Sequence, residues 1–428
     1  MRHFCLYSLL FLLMVCPFAK SRAQDGFGAI NRLSEKLVHQ RWQTQNRFNA
    51  LAGVSLIGAQ WRGLALLNWD FADYPFEGRL RGSVRQGPLG RYTPDWDEAY
   101  DLLRLIQFAR IQTDNFYARL GPIRDMRLGI GHIVNHYSSS IAWDMRTIGT
   151  ELAWTGGPVE LSGFSSDVLL NNVLGGRASL GLPYNGRLGI NYTNHDPTDL
   201  TAWSIDLQVA VFETGRIVFA PYMSYAWYTR HGDGLAFGAD VHSAGFLDLL
   251  SFRLRVGAFY NSRHFIPGYV GQLFGVSNSH NRIIRNGADL DNIVQDDFAG
   301  LILEEARGVN DLLTAFSLQI KESFWIEYSW RKHFGSQPLS ELHFRLFVKR
   351  GPYFTLEVGV DRLGEHTFLD VFTPFAEQSG LTFATTLHIR KAFFLHTEAR
   401  YTFEPIESSP HYLVQKRFEP VVGIRVNL

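Results

Sequence analysis

The chain has almost no cysteine. Its two, Cys5 and Cys16, both fall near the start, so the rest can carry neither a disulfide framework nor a thiolate metal site. Long apolar runs are scarce too. Past the leader, no stretch reaches the roughly 20 consecutive apolar residues that cross a bilayer as a helix. Charge of one sign is not in excess, since 41 basic residues balance 41 acidic ones. The basic surplus that marks nucleic-acid binding is therefore missing. So is a glycine-rich phosphate loop ending in Lys-Ser or Lys-Thr. No low-complexity linker and no repeat longer than a strand and its turn can be found. These absences exclude a disulfide-stapled module, a helical membrane bundle, a nucleic-acid binder and a P-loop enzyme.

What is present begins with an export signal. Arg2 gives a positive start, Phe4 through Val15 form an apolar run, and Ser21-Arg22-Ala23 offers small residues before a cut. This predicts a cleaved signal peptide over 1–23. Val15 before Cys16 and Pro17 after it do not match a lipid-attachment site. Residues 24–48 are expected to be an N-terminal periplasmic or plug segment. Within them, 28–46 has helical spacing, with Ile30, Leu33, Leu37 and Trp42 on one face. The remainder, 49–428, reads as one large all-β unit, rich in glycine (39 residues) and aromatics (14%).

The C-terminal half alternates with period two. Phe418, Pro420, Val422, Ile424, Val426 and Leu428 share one face, against Glu419, Val421, Gly423, Arg425 and Asn427 on the other. The same pattern runs through 251–260, 324–331, 341–349, 354–361 and 393–403. The apolar faces of these six segments carry no charge and the opposite faces carry many. A soluble β-sandwich also alternates. However, these strands are long, near the 9–11 residues that cross a membrane tilted, and aromatics such as Trp330, Tyr260, Tyr401, Phe403 and Phe418 recur near their ends.

Connections supply an independent signal. Short ones (Thr155-Gly156-Gly157, Pro183-Tyr184-Asn185-Gly186, Glu213-Thr214-Gly215, Lys321-Glu322, Lys349-Arg350-Gly351-Pro352, Arg390-Lys391) alternate with longer ones (165–172, 195–202, 263–311, 333–340, 362–380, 404–417). A membrane barrel has short periplasmic turns and long external loops in this order. The expected fold is a transmembrane antiparallel β-barrel of about 18 strands, between roughly 14 and 20, with a short N-terminal helical segment. Segments 49–58, 61–71 and 77–84 are strand-like with mixed faces, and the spread in the count comes mainly from the part before residue 145.

On these features the chain resembles bacterial outer-membrane β-barrel proteins over about 50–428. The segments Phe116-Tyr117-Ala118-Arg119-Leu120-Gly121-Pro122 and Leu128-Gly129-Ile130-Gly131-His132-Ile133-Val134-Asn135-His136-Tyr137 are similar to ones in large uncharacterised porin-like barrels. The resemblance implies an outer-membrane location, outer-membrane lipid and the barrel assembly machinery as partners, and no particular activity. The terminal Leu428 departs from the usual terminal Phe.

Four candidate sites follow. His132 and His136, with Ser138, Ser139, Ser140 and Asp144 behind them, suggest a Ser–His hydrolase or a two-His metal site. Gly129 and Gly131 argue against the helix that the metal spacing needs, so the plainer reading is a polar strand end entering a loop. Asn286, Asp289, Asp291, Asn292, Asp296 and Asp297 form an acidic cluster without EF-hand spacing, read as a solvated loop. Arg253, Arg255, Glu327, Arg331, Glu341, Arg345, Glu357, Asp361, Arg390, Glu398, Arg400, Glu419 and Arg425 point inward. They line a pore or form an internal ion-pair network, and their mixed signs predict no strong ion selectivity. The loop 263–311, with Phe265-Ile266-Pro267-Gly268-Tyr269-Val270 and Phe274, either folds inward as a constriction or stays on the outer surface. No catalytic residue, metal ligand or cofactor is assigned. The leading expectation is a channel or transporter for small solutes, because a lumen of 16 or more strands is wider than side chains fill. The alternatives are an outer-membrane hydrolase at 132–144 and a structural or adhesive barrel.

Overall fold

In the computed structural model the described residues run from 46 to 428, except 141–146, 275–305, 370–378, 406–411 and scattered loop positions. The signal peptide, residues 24–45 and the acidic cluster at 286–297 lie outside them. Asn46 is described, and its side-chain oxygen accepts the Ala72 N–H at 2.8 Å. The helix predicted over 28–46 is otherwise not among the described residues. One α-helical turn, Asp101–Arg104, is.

Twenty strands make up the barrel. In chain order they are β1 (Arg47–Ile57), β2 (Gln60–Asp73), β3 (Phe76–Gly87), β4 (Ile106–Gln112), β5 (Phe116–Gly121), β6 (Gly149–Gly156), β7 (Val159–Ser165), β8 (Leu174–Leu182), β9 (Gly186–His195) and β10 (Leu200–Val209). Then come β11 (Ile217–Tyr228), β12 (Asp233–Phe246), β13 (Leu250–Asn261), β14 (Asn310–Ile320), β15 (Phe324–His333), β16 (Glu341–Arg350), β17 (Phe354–Leu363), β18 (Ser379–His388), β19 (Phe393–Pro405) and β20 (Tyr412–Asn427). Two short pieces, Gly90–Arg91 and Phe212–Thr214, prolong existing ladders. Each strand pairs antiparallel with the next, and β1 pairs with β20 from Arg47↔Asn427 to Ile57↔Arg417. The sheet is closed, so every strand has two neighbours and no edge is left to satisfy.

The strand number is slightly above the expected 18. The faces of β1 and β2 look mixed because part of their inward face is apolar. Leu51, Leu64 and Leu66 pack inside the barrel with Phe394 and Val421. Elsewhere the alternation sorts as predicted. In β20, Val422, Ile424 and Val426 are about half exposed on the outer wall, while Glu419 and Val421 are buried within. Leu254, Val256 and Tyr260 of β13 behave alike. This greasy exterior is a surface for hydrocarbon. Val256 sits mid-strand, opposite Ala239 and Thr314. Val256→Arg is expected to destabilise the inserted barrel by about 2–4 kcal/mol, measured by urea unfolding in liposomes. An unchanged midpoint would mean that this face does not meet lipid.

The two rims differ. At the rim where Arg47 meets Asn427, the connections 74–75, 113–115, 157–158, 183–185, 247–249, 321–323, 351–353 and 389–392 are all short. The opposite rim carries 88–105, 122–148, 262–309 and 364–378, although 58–59 and 229–232 are short there too. Residues 122–140, which follow the first motif segment, form no named strand and enter the lumen.

Candidate functional site: a half-filled lumen

Two loops from the long-loop rim fold inward and pack together. Residues 122–140 come from the β5–β6 connection and residues 262–274 from the β13–β14 connection. They meet at the bridge Val134↔Val270. Val270 N–H donates to the Ile133 carbonyl at 3.2 Å, Asn135 N–H to Val270 at 3.1 Å and Gly268 N–H to His132 at 2.9 Å. Their apolar side chains make one cluster inside the barrel: Ile123, Leu128, Ile133, Val134 and Tyr137 against Phe265, Ile266, Tyr269, Val270, Leu273 and Phe274. Wall residues Phe164, Leu200, Ala202, Ala226 and Tyr228 complete it. Burying each of the large aliphatic residues stabilises the plug by about 1.5–3 kcal/mol relative to leaving it in water.

Glycines let the plug approach the wall. Gly129 (φ +59) and Gly131 (φ +85) occupy the left-handed region, which other residues adopt only at a cost. A Cβ on Gly129 would collide with the Arg177 guanidinium and the Asp206 carboxylate. Polar ties then fix the plug. Arg255 Nη1 donates to the Ile130 carbonyl at 2.9 Å, and the Tyr228 hydroxyl donates to the Ile266 carbonyl at 2.7 Å. His132 Nδ1 lies 3.0 Å from Ser224 Oγ, with its ring edge-on to Phe259 and Phe265. Burial pushes the His132 imidazole down to about 3, so it is neutral at pH 7.

Beneath the plug, wall charges balance within clusters, four guanidiniums against four carboxylates. Asp240 accepts from Arg253 (2.9 Å), Arg255 (2.8 Å) and Gln208 (2.9 Å). Asp206 accepts from both terminal nitrogens of Arg177 and from Asn191 at 2.7 Å. Arg331 pairs with Asp311 at 3.1 Å and Glu341 at 2.8 Å.

The other half of the lumen is hollow. A cavity of about 580 Å³ runs along β1–β5 and β15–β20, from Arg47, Lys349 and Arg425 near the short-turn rim to Arg124, Ser140 and Gln272 of the plug. Its lining includes ten basic residues (Arg47, Arg79, Arg81, Arg110, Arg119, Arg124, Arg345, Lys349, Arg400, Arg425) and four acidic ones (Asp125, Glu357, Asp361, Glu398). Three more carboxylates, Asp70, Glu77 and Glu151, pair with Arg79, Arg110 and Arg119, which leaves a surplus of three positive charges. Burial, with Arg400 and Arg119 close by, pushes the Arg124 guanidinium down to about 10. That is the direction a crowded positive chamber produces.

The inward charges named from sequence fall into three groups. Arg345, Glu357, Asp361, Glu398, Arg400 and Arg425 face the cavity. Arg253, Arg255, Glu327, Arg331, Glu341 and Glu419 are held in ion pairs or hydrogen bonds at the wall. Arg390 sits exposed on a short turn. Sequence reasoning missed Arg47, Arg79, Arg81, Arg110, Arg119 and Arg124, and put Lys349 on a charged strand face without naming it for the pore. Most lie in the first third, where the alternation was hardest to follow. His136 bonds to Arg127 Nη2 at 2.6 Å and to Asp125, and stacks on His343 at 3.8 Å. Ser138 and Ser139 instead donate to the Ile123 and Thr147 carbonyls, so these serines and histidines do not join.

A closed antiparallel barrel with a charge-free belt outside, charges inside and unequal rims defines an outer-membrane β-barrel. No protein-family model matches the chain, and no curated protein does. Solved structures that align with it include Wzi of Escherichia coli, a carbohydrate-binding outer-membrane barrel involved in group 1 capsule assembly. It is 10% identical, with 96% of this chain and 89% of that one covered and a TM-score of 0.34. OccAB3 of Acinetobacter baumannii is 9% identical (90% and 98% covered, TM-score 0.34), and OprD of Pseudomonas aeruginosa 8% identical (90% and 95%, 0.30). The assignment of the barrel rests on this chain's own strand pairings.

Proposed function

We propose that the barrel is a channel for small anionic solutes, with the basic hollow half as its path and the apolar plug as its constriction. The observation that carries this reading is the charge surplus of the cavity, ten cationic side chains against four anionic ones in the lining and three more carboxylates paired with them. The sequence showed mixed signs because it could not show where each sign goes. On the plugged side the charges balance within clusters, and on the hollow side cations predominate. A low-dielectric wall concentrates the field of that surplus and raises the local concentration of anions.

Planar-bilayer recordings in a potassium chloride gradient test it. The reversal potential is expected to have the sign of an anion-preferring pore. Arg47→Gln combined with Lys349→Gln, at the short-turn mouth, should move it toward zero. Cation preference, or no conductance from folded wild-type protein, overturns the proposal.

A further inference from the structure

We propose that Asp125, His136, Glu327 and His343 form a binding site for a divalent transition-metal ion, of zinc type, that staples the plug to the barrel wall. Asp125 and His136 belong to the inward-folded loop, Glu327 to β15 and His343 to β16. One donor atom from each lies within 4.8 Å of the others. Two imidazoles and two carboxylates make a nitrogen–oxygen set that suits zinc and its neighbours.

The argument turns on His343. It is buried, and its Nδ1 lies 2.6 Å from Asp361 Oδ1. Arg345 pairs with the other oxygen of Asp361 at 2.8 Å, which keeps that carboxylate an acceptor, so Nδ1 of His343 is the donor. In the neutral ring Nε2 then presents a lone pair. It has no hydrogen-bond partner and lies 3.6 Å from Asp125 Oδ1. Two acceptors thus face each other across a gap that a bound cation would bridge. The carboxylate behind the ring matches the support that metal-binding histidines use to fix tautomer and orientation.

A competing cation stands beside the site. Arg127 Nη2 touches His136 Nε2 at 2.6 Å and lies 3.7 Å from Glu327 Oε1, while its Nε donates to Asn135 at 2.9 Å. For His136 to coordinate through Nδ1, its ring proton moves to Nε2 and the guanidinium withdraws. Metal and Arg127 therefore exclude one another.

The test uses untagged, folded full-length barrel, stripped with chelator and titrated with cobalt(II) as a spectroscopic probe. Expected are one ion per chain, visible absorption of low-coordinate cobalt, and displacement by zinc(II). His343→Gln should abolish the signal, and Arg127→Gln should lower Kd several-fold. Folding of each variant is read from its migration without boiling; should His343→Gln fail that check, His136→Gln replaces it. No stoichiometric uptake by folded wild type, or equal uptake by the histidine variant, overturns the site. An unchanged Kd in Arg127→Gln overturns the exchange. Because the readout is metal uptake, the outcome is independent of whether the barrel conducts.

Discussion

Asp240→Ala is expected to lower the stability of the barrel by about 3–5 kcal/mol, the cost of leaving buried charge without its partner. Asp240 is fully buried and holds both Arg253 and Arg255. Its loss strands two guanidiniums in the same small space. The effect also reaches the plug, since Arg255 carries the bond to the Ile130 carbonyl. Urea unfolding followed by tryptophan fluorescence measures the loss. Asp240→Asn, which keeps an acceptor oxygen, should lose less. A change in Asp240→Ala below about 1 kcal/mol is what solvated surface pairs give, and would mean that water reaches these groups.

The largest change in conductance is expected from removing the second inward loop. Replacing 263–309 with a short turn deletes Phe265, Ile266, Tyr269, Val270, Leu273 and Phe274, over half of the loop-borne part of the apolar cluster. Ile133 and Val134 then face water, and the first loop loses its bridge partner. Barrels of 16–18 strands already leave an aqueous channel, so an unplugged barrel of 20 strands should conduct several-fold more than wild type. Its ion preference should weaken as the widened path takes in the paired charges at Asp240 and Asp206. Equal single-channel conductance in the two proteins would show that these residues do not obstruct the path.

The barrel was legible wherever one face was uniformly apolar and the other charged. β13, β15, β16, β17, β19 and β20 could be read strand by strand, because lipid and lumen impose opposite demands on neighbouring side chains. That contrast fades in β1 and β2, where Leu51, Leu64 and Leu66 point inward, and the period-two signal blurs. The plug was harder still. Gly129 and Gly131 hinted at a special backbone, and the break in alternation over 122–148 is a signal in hindsight. The pairing of Val134 with Val270, however, joins segments with eight strands between them. No spacing rule links Asp125 to His343 or Glu327, because only the barrel's curvature brings β15 and β16 beside the loop. Thus the two histidines weighed from sequence, His132 and His136, turn away from each other's chemistry. One is packed among aromatics, and the other finds its partners on a distant part of the wall.

The seam between β1 and β20 limits the routes open to any cargo. From Arg47↔Asn427 inward the first and last strands are zipped together as the rest are, and Ser55 adds a hydrogen bond to Glu419 at 2.7 Å. Among the described residues such a cylinder shows no side door between its strands. A greasy compound dissolved in the bilayer cannot slip between staves into the interior, and a solute inside cannot leak out into the lipid. Whatever enters must arrive and leave end-on.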